Sequence, residues 1–153
     1  MNKIKLKLHE FYALEAELNG VVNQRTGEVV LKGLLSEKIN LSTKYWVNDL
    51  AKKVLAEKVE IEKLKDDLIK KHGEEDESGG VSIPVYINVV KNEANEIVSR
   101  DINPKYVEFE NDFNALLQEE KEVEYKPFKL EQFDSVESEG VYNIFFKLIE
   151  VQN

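Results

Sequence analysis

Few side chains in this sequence are suited to chemistry. It has two histidines, His9 and His72, and no cysteine. A thiolate nucleophile, a disulfide framework and a cysteine-based zinc site are therefore excluded. His72 stands close to Glu74, Glu75 and Asp76, a conceivable metal cluster. The simpler account puts His72 in the last turn of a helix, where it complements the helix dipole, with the acids as solvated loop. That loop also departs from the EF-hand pattern, because its acids are consecutive and no glutamate closes it. Gly79-Gly80 lacks the Lys-Ser/Thr that a phosphate loop requires. No nucleophile motif of the G-x-S-x-G or S-x-x-K kind stands in a convincing context. With 30 acidic residues, spacing alone identifies no carboxylate pair. The sequence thus predicts no catalytic residue, no metal, no cofactor and no enzymatic activity.

Charge narrows the partners. The chain has 153 residues and a formal net charge of −9. That disfavours direct binding to nucleic acid, which needs clustered Lys and Arg. It disfavours an anionic membrane surface too, and it allows a basic protein. Arg25 and Arg100 are the only arginines, so few planar forks exist for bidentate phosphate recognition. The acids at Glu108, Glu110, Asp112, Glu119, Glu120, Glu122 and Glu124 form a run that could imitate a phosphate backbone. The ordinary account is the solvated face of an amphipathic helix. The start, MNKIKLKLHEF, has no apolar core of signal-peptide length, and no apolar run is long enough to span a bilayer. A cytoplasmic protein of a bacterial host, or a virion component, is expected. A hydrophobic fraction of 42% is that of a folded protein.

The elements that would position these residues follow from periodicity. Ile4, Leu6 and Leu8 alternate with lysine, as in a short strand over 3–8. Phe11, Leu14 and Leu18 then recur at helical spacing, and Gly20 stops a helix over 9–19. Val21-Val22 and Glu28–Leu31 flank a polar, Gly-containing turn. Residues 34–73 form the long helix, firmest from Ser42 to His72, with Gly73 as its C-cap. Val81 to Val90 reads as a strand with an edge or bulge at Pro84. Asn92–Asn95 turns it and Glu96–Ser99 returns it, a hairpin within 81–100. Asn103-Pro104 starts a second helix over 103–120, with Ile102 poised to staple onto Val107. Glu122–Leu130 alternates as a strand, shifting phase at Pro127. Val141, Ile144, Phe145 and Leu148 suggest a final helix within 122–153. The expected fold is one helix-dominated α+β domain over 1–153. Its long helix packs against a shorter antiparallel one, beside a small β-hairpin and an N-terminal β/α element over 1–33.

The long helix carries a seam. Val47, Val54, Ile61 and Leu68 recur every seven residues, and Leu50 and Leu64 stand three after the first and third. Glu57 and Lys71 break the pattern, so it is no autonomous coiled coil. Thirty helical residues reach about 45 Å, roughly twice what the second helix can cover. An uncovered apolar stripe usually means a partner. Trp46, Val47, Leu50, Val54, Ile61, Leu64 and Leu68 are therefore the candidate interaction surface.

A resemblance adds to this. The layout from Leu41 to Ile149 resembles small uncharacterised proteins encoded by tailed bacteriophages. It rests on a charged helix ending Leu68-Ile69-Lys70-Lys71-His72-Gly73 and an acidic loop. A strand pair and the helical Phe113-Asn114-Ala115-Leu116-Leu117 follow, and then the alternating Glu122-Val123-Glu124-Tyr125 and an apolar end. It implies a structural, assembly or host-interaction role and no catalytic residue. The reading is a non-enzymatic protein that binds a protein partner or its own copies through the long helix. The alternative is an acidic inhibitor or nucleic-acid mimic that binds a basic host or defence protein.

Overall fold

A computed structural model describes residues 1–137 and 142–150. In chain order the elements are β1 (Asn2–Lys7), α1 (Leu8–Asn19), β2 (Val21–Val22), β3 (Val29–Leu31) and a 3-10 turn at Leu34–Ser36. Next come α2 (Leu41–His72), β4 (Glu74–Glu75), β5 (Val81–Ser82), β6 (Tyr86–Lys91), β7 (Ile97–Ile102) and α3 (Pro104–Leu117). The chain continues through β8 (Glu120–Tyr125), β9 (Phe128–Lys129), 3-10 turns at Leu130–Phe133 and Phe145–Leu148, and β10 (Ile149–Glu150). The fold is α+β with a 32-residue helix in its middle. It divides into two compact units: Met1–Glu60 with Gln118–Asn153, and Ile61–Leu117. The long helix contributes to both.

The first unit is organised by a sheet between distant segments. β1 pairs antiparallel with β8, setting Lys3, Lys5 and Lys7 opposite Glu124, Glu122 and Glu120. Opposite charges face each other across this ladder. Lys3 Nζ also reaches Glu122 at 3.5 Å. The alternate residues Leu6, Val123 and Tyr125 turn inward and are buried. They join Phe11, Leu14 and Leu18 of α1 in the core. Asn40 caps α2, its Oδ1 accepting from the Thr43 N–H at 2.8 Å. The long helix, expected from residue 34, begins at Leu41 instead, and Leu34–Ser36 before it is a separate 3-10 turn.

Gly20 and Gly33 bring two backbones together behind α1. A Cβ on Gly33 would lie 2.4 Å from the Gly20 nitrogen, and one on Gly20 would lie 2.6 Å from the Leu31 carbonyl oxygen. Gly20 also has a φ of 80°, which side chains rarely adopt.

The C-terminal segment corrects the expectation of a helix. Among its described residues, Phe145–Leu148 is a 3-10 turn, and Ile149–Glu150 pairs parallel with β9. Tyr142, Phe145 and Leu148 are the buried residues, a spacing of three that suits the 3-10 period. Glu17 fixes the turn. Its carboxylate accepts from the Ile144 N–H at 2.9 Å and the Phe145 N–H at 3.1 Å. Burial raises its pKa, and these two donors partly offset that. Gly140 and Val141 lie outside the described residues.

In the second unit the expected strand Val81–Val90 is two strands. Val81–Ser82 pairs with Glu74–Glu75, so the acidic loop is itself a tight hairpin. Asp76 closes it, accepting from Ser78 Oγ and from the Ser78 and Gly80 N–H groups. The Ser78 hydroxyl first, and then these N–H groups, hold the Asp76 pKa low. Pro84 cannot donate to a ladder, and pairing resumes at Tyr86. β6 and β7 form an antiparallel ribbon with register shifts near Asn88 and Val98. Asn103 ties its base to α3. It donates to Pro84 O at 2.8 Å and caps the helix by accepting from the Lys105 N–H. The helix ends at Leu117, three residues short of expectation.

Candidate interaction surface

The seam splits along the helix. Val47, Leu50 and Val54 are essentially inaccessible, and Ile61 is only 2% exposed. These four belong to the protein's interior, not to a free stripe. Within the first unit β8 runs beside α2, which reading along the chain does not show. Lys53 Nζ donates to Glu124 O at 2.9 Å, and Lys121 pairs with Glu57 at 2.6 Å. The glutamate that breaks the heptad therefore meets a strand lysine. Lys58 reaches Glu15 of α1 at 3.1 Å. Trp46 is half-buried, with Lys126 Nζ 4.6 Å from its ring centre and Tyr45 edge-on at 5.1 Å. Leu68 is half-buried, and Leu64 stays 47% exposed.

Helix α3 lies against the last turns of α2 in the opposite direction. Lys65 Nζ sits 5.6 Å from the Phe113 ring centre, while His72 meets Asp112 at 3.1 Å and Glu108 at 3.5 Å. His72 thus turns to α3 and not to the acidic loop. No cluster of three potential metal ligands occurs among the described residues. The acids of 108–124 are divided between the two units. Glu120, Glu122 and Glu124 face lysines on β1, while Glu108 and Asp112 flank His72.

The larger apolar surface lies elsewhere. Between Ile61 and Leu117 only Ile61 and Phe109 are buried apolar side chains among the described residues. Nine large ones are exposed there: Leu64, Val85, Tyr86, Val89, Val90, Ile97, Val98, Ile102 and Val107. Ile102 and Val107, expected to staple the start of α3, are 63% and 43% exposed. Seven of the nine belong to the β6–β7 ribbon or its approach. Arg100 stacks on Tyr86 at 3.8 Å, and Asn88 donates to Asp101. Sequence reading misses this surface because alternation in Val, Ile and Tyr ordinarily marks a strand with a buried face. The available signal was charge. Val81 to Val90 contains no charged residue in a chain that is 33% charged.

No family model, no curated protein and no solved structure matches the chain. No described helix is long and apolar enough to cross a membrane.

Proposed function

We propose that this is a non-enzymatic interaction protein of structural or assembly type, which docks a protein partner on residues 61–117. One observation carries the reading: that unit buries two apolar side chains and exposes nine large ones. A ribbon of two strands with neither face covered is marginal in water. Exposed apolar surface of this kind marks interaction sites. The long helix keeps a part in this reading through Leu64 and Leu68, while the rest of its seam is core. A bacteriophage setting, with the host cytoplasm or the virion as location, fits such a role and rests on the element pattern alone.

A photo-crosslinking residue at Val98 of the full chain, expressed in a bacterial host, tests the reading. The same residue at Asn48, an exposed helix position in the first unit, is the control. A discrete heavier adduct from position 98 and none from 48 is expected. Free chain alone from position 98 contradicts the reading.

A second reading, an acidic inhibitor of a basic host or defence protein, has its own support. Residues 61–117 hold thirteen acidic and seven basic side chains, a net −6 of the chain's −9. Binding would then weaken steeply with added salt.

A further inference from the structure

We infer that the outer edge of β7 is a strand-addition site for a basic protein, which lays a Lys- or Arg-bearing strand along Ile97–Ile102. This rests on the reading of residues 61–117 as the docking unit, and it names the chemistry of the occupant. β6 and β7 make a two-stranded sheet, so among the described residues each has an edge with no strand neighbour. Such edges present backbone N–H and C=O groups to another chain. The two edges are not equivalent. β6 holds Asn88 at a φ of 52°, where its register shifts. A left-handed residue in a bulge bends a strand and blunts its edge. The register shifts near Val98 of β7 as well, but no residue of β7 has positive φ, and Val98 and Ile102 project from it 60% and 63% exposed.

Charge selects the occupant. Acids stand at both ends of the ribbon. Glu93 and Glu96 are in its turn, and Glu74–Glu77 lie in the small hairpin at its base. Lys105 of α3 pairs with Glu74 at 3.4 Å, and Asn103 donates its N–H to Val85 O, which places that hairpin beside the strand ends. The one cation of β7, Arg100, lies over the Tyr86 ring. A second copy would set −6 against −6, and like charges across strands destabilise pairing. A nucleic acid is repelled for the same reason and has no strand to add. A basic polypeptide gains at both ends while its alternate apolar residues meet Val98 and Ile102.

The test uses the full chain and three synthetic octapeptides: alternating Lys and Val, alternating Glu and Val, and a Lys/Ala helix-former of equal positive charge. The Lys/Val strand is expected to bind and to slow hydrogen exchange at Ile97–Ile102. The Glu/Val strand and the Lys/Ala helix are expected not to bind. Val98→Lys, which sets a charge on the edge, and the Glu93→Lys, Glu96→Lys pair are each expected to weaken binding about tenfold. All three positions are exposed, so the fold survives these changes. Equal binding of Lys/Val and Lys/Ala would mean charge adsorption only and overturn the inference. So would protection confined to β6, or self-association of the full chain abolished by Val98→Lys, which assigns the edge to a second copy. None of these results touches the crosslink at position 98, whose absence would instead remove the wider reading.

Discussion

The two units use similar apolar residues to opposite ends. Among the described residues, Met1–Glu60 with Gln118–Asn153 buries fifteen apolar side chains around Phe11, Phe128 and Phe145, while Ile61–Leu117 buries two. The first unit closes because β1 and β8, from distant parts of the chain, bring two inward faces against α1 and α2. The second has a helix pair and a ribbon, and the ribbon keeps its valines and isoleucines in solvent. Apolar content alone therefore does not make a core; a second layer does. The first unit has an exposed hairpin of its own, with Val21, Val22, Val29 and Val30 in solvent. That hairpin is attached to a core, and the β6–β7 ribbon dominates the surface of its unit.

The comparison predicts unequal responses to the same kind of truncation. Leu14→Ala, at a fully buried site, should cost about 3–5 kcal/mol. Val98→Ala should cost less than about 0.5 kcal/mol. Denaturant midpoints of the two variants decide it, and similar losses would break the distinction. Gly33→Ala comes next, at about 3 kcal/mol, because its Cβ has no room beside Gly20. Thermal unfolding of that variant reads whether the backbone crossing is as tight as described.

Lys5→Glu sets a glutamate opposite Glu122 in the β1–β8 ladder. It should cost about 1 kcal/mol at low salt, and less as salt is added. A cost independent of salt would mean that the ladder acts by packing instead.

The smallest expected effect is at Glu17. Its pKa in the folded chain is raised, so between the unfolded and folded values the folded protein holds the extra proton. Stability relative to Glu17→Gln should therefore fall as pH rises through the carboxylate range and level off once Glu17 ionises. A difference that grows in the wild type's favour with pH would show that the Ile144 and Phe145 donors outweigh burial.

How much of this was readable from the sequence differs between the units. The alternations Ile4/Leu6 and Val123/Tyr125 were both visible, as were the lysines and glutamates between them. Their pairing was not, because one chain in extended form carries no record of a distant partner. Nor was the packing of the first unit, in which Val47, Leu50 and Val54 are core and not candidate surface. The Asn103-Pro104 start of α3 was readable, since capping is local. The C-terminal turn was misread because residues three apart satisfy a 3-10 turn as well as a helix, and Glu17, far off in sequence, favours the former. The exposed ribbon escaped because propensity reports strand character and says nothing of what covers it.

Native-state hydrogen exchange on the full chain tests the central contrast most directly. Amides of Tyr86–Lys91 and Ile97–Ile102 should exchange through local openings of low free energy, while those of α1 and β8 exchange only with global unfolding. Equal protection of the ribbon and of β8, in the isolated chain, would show that the second unit is complete without a partner and would contradict the account.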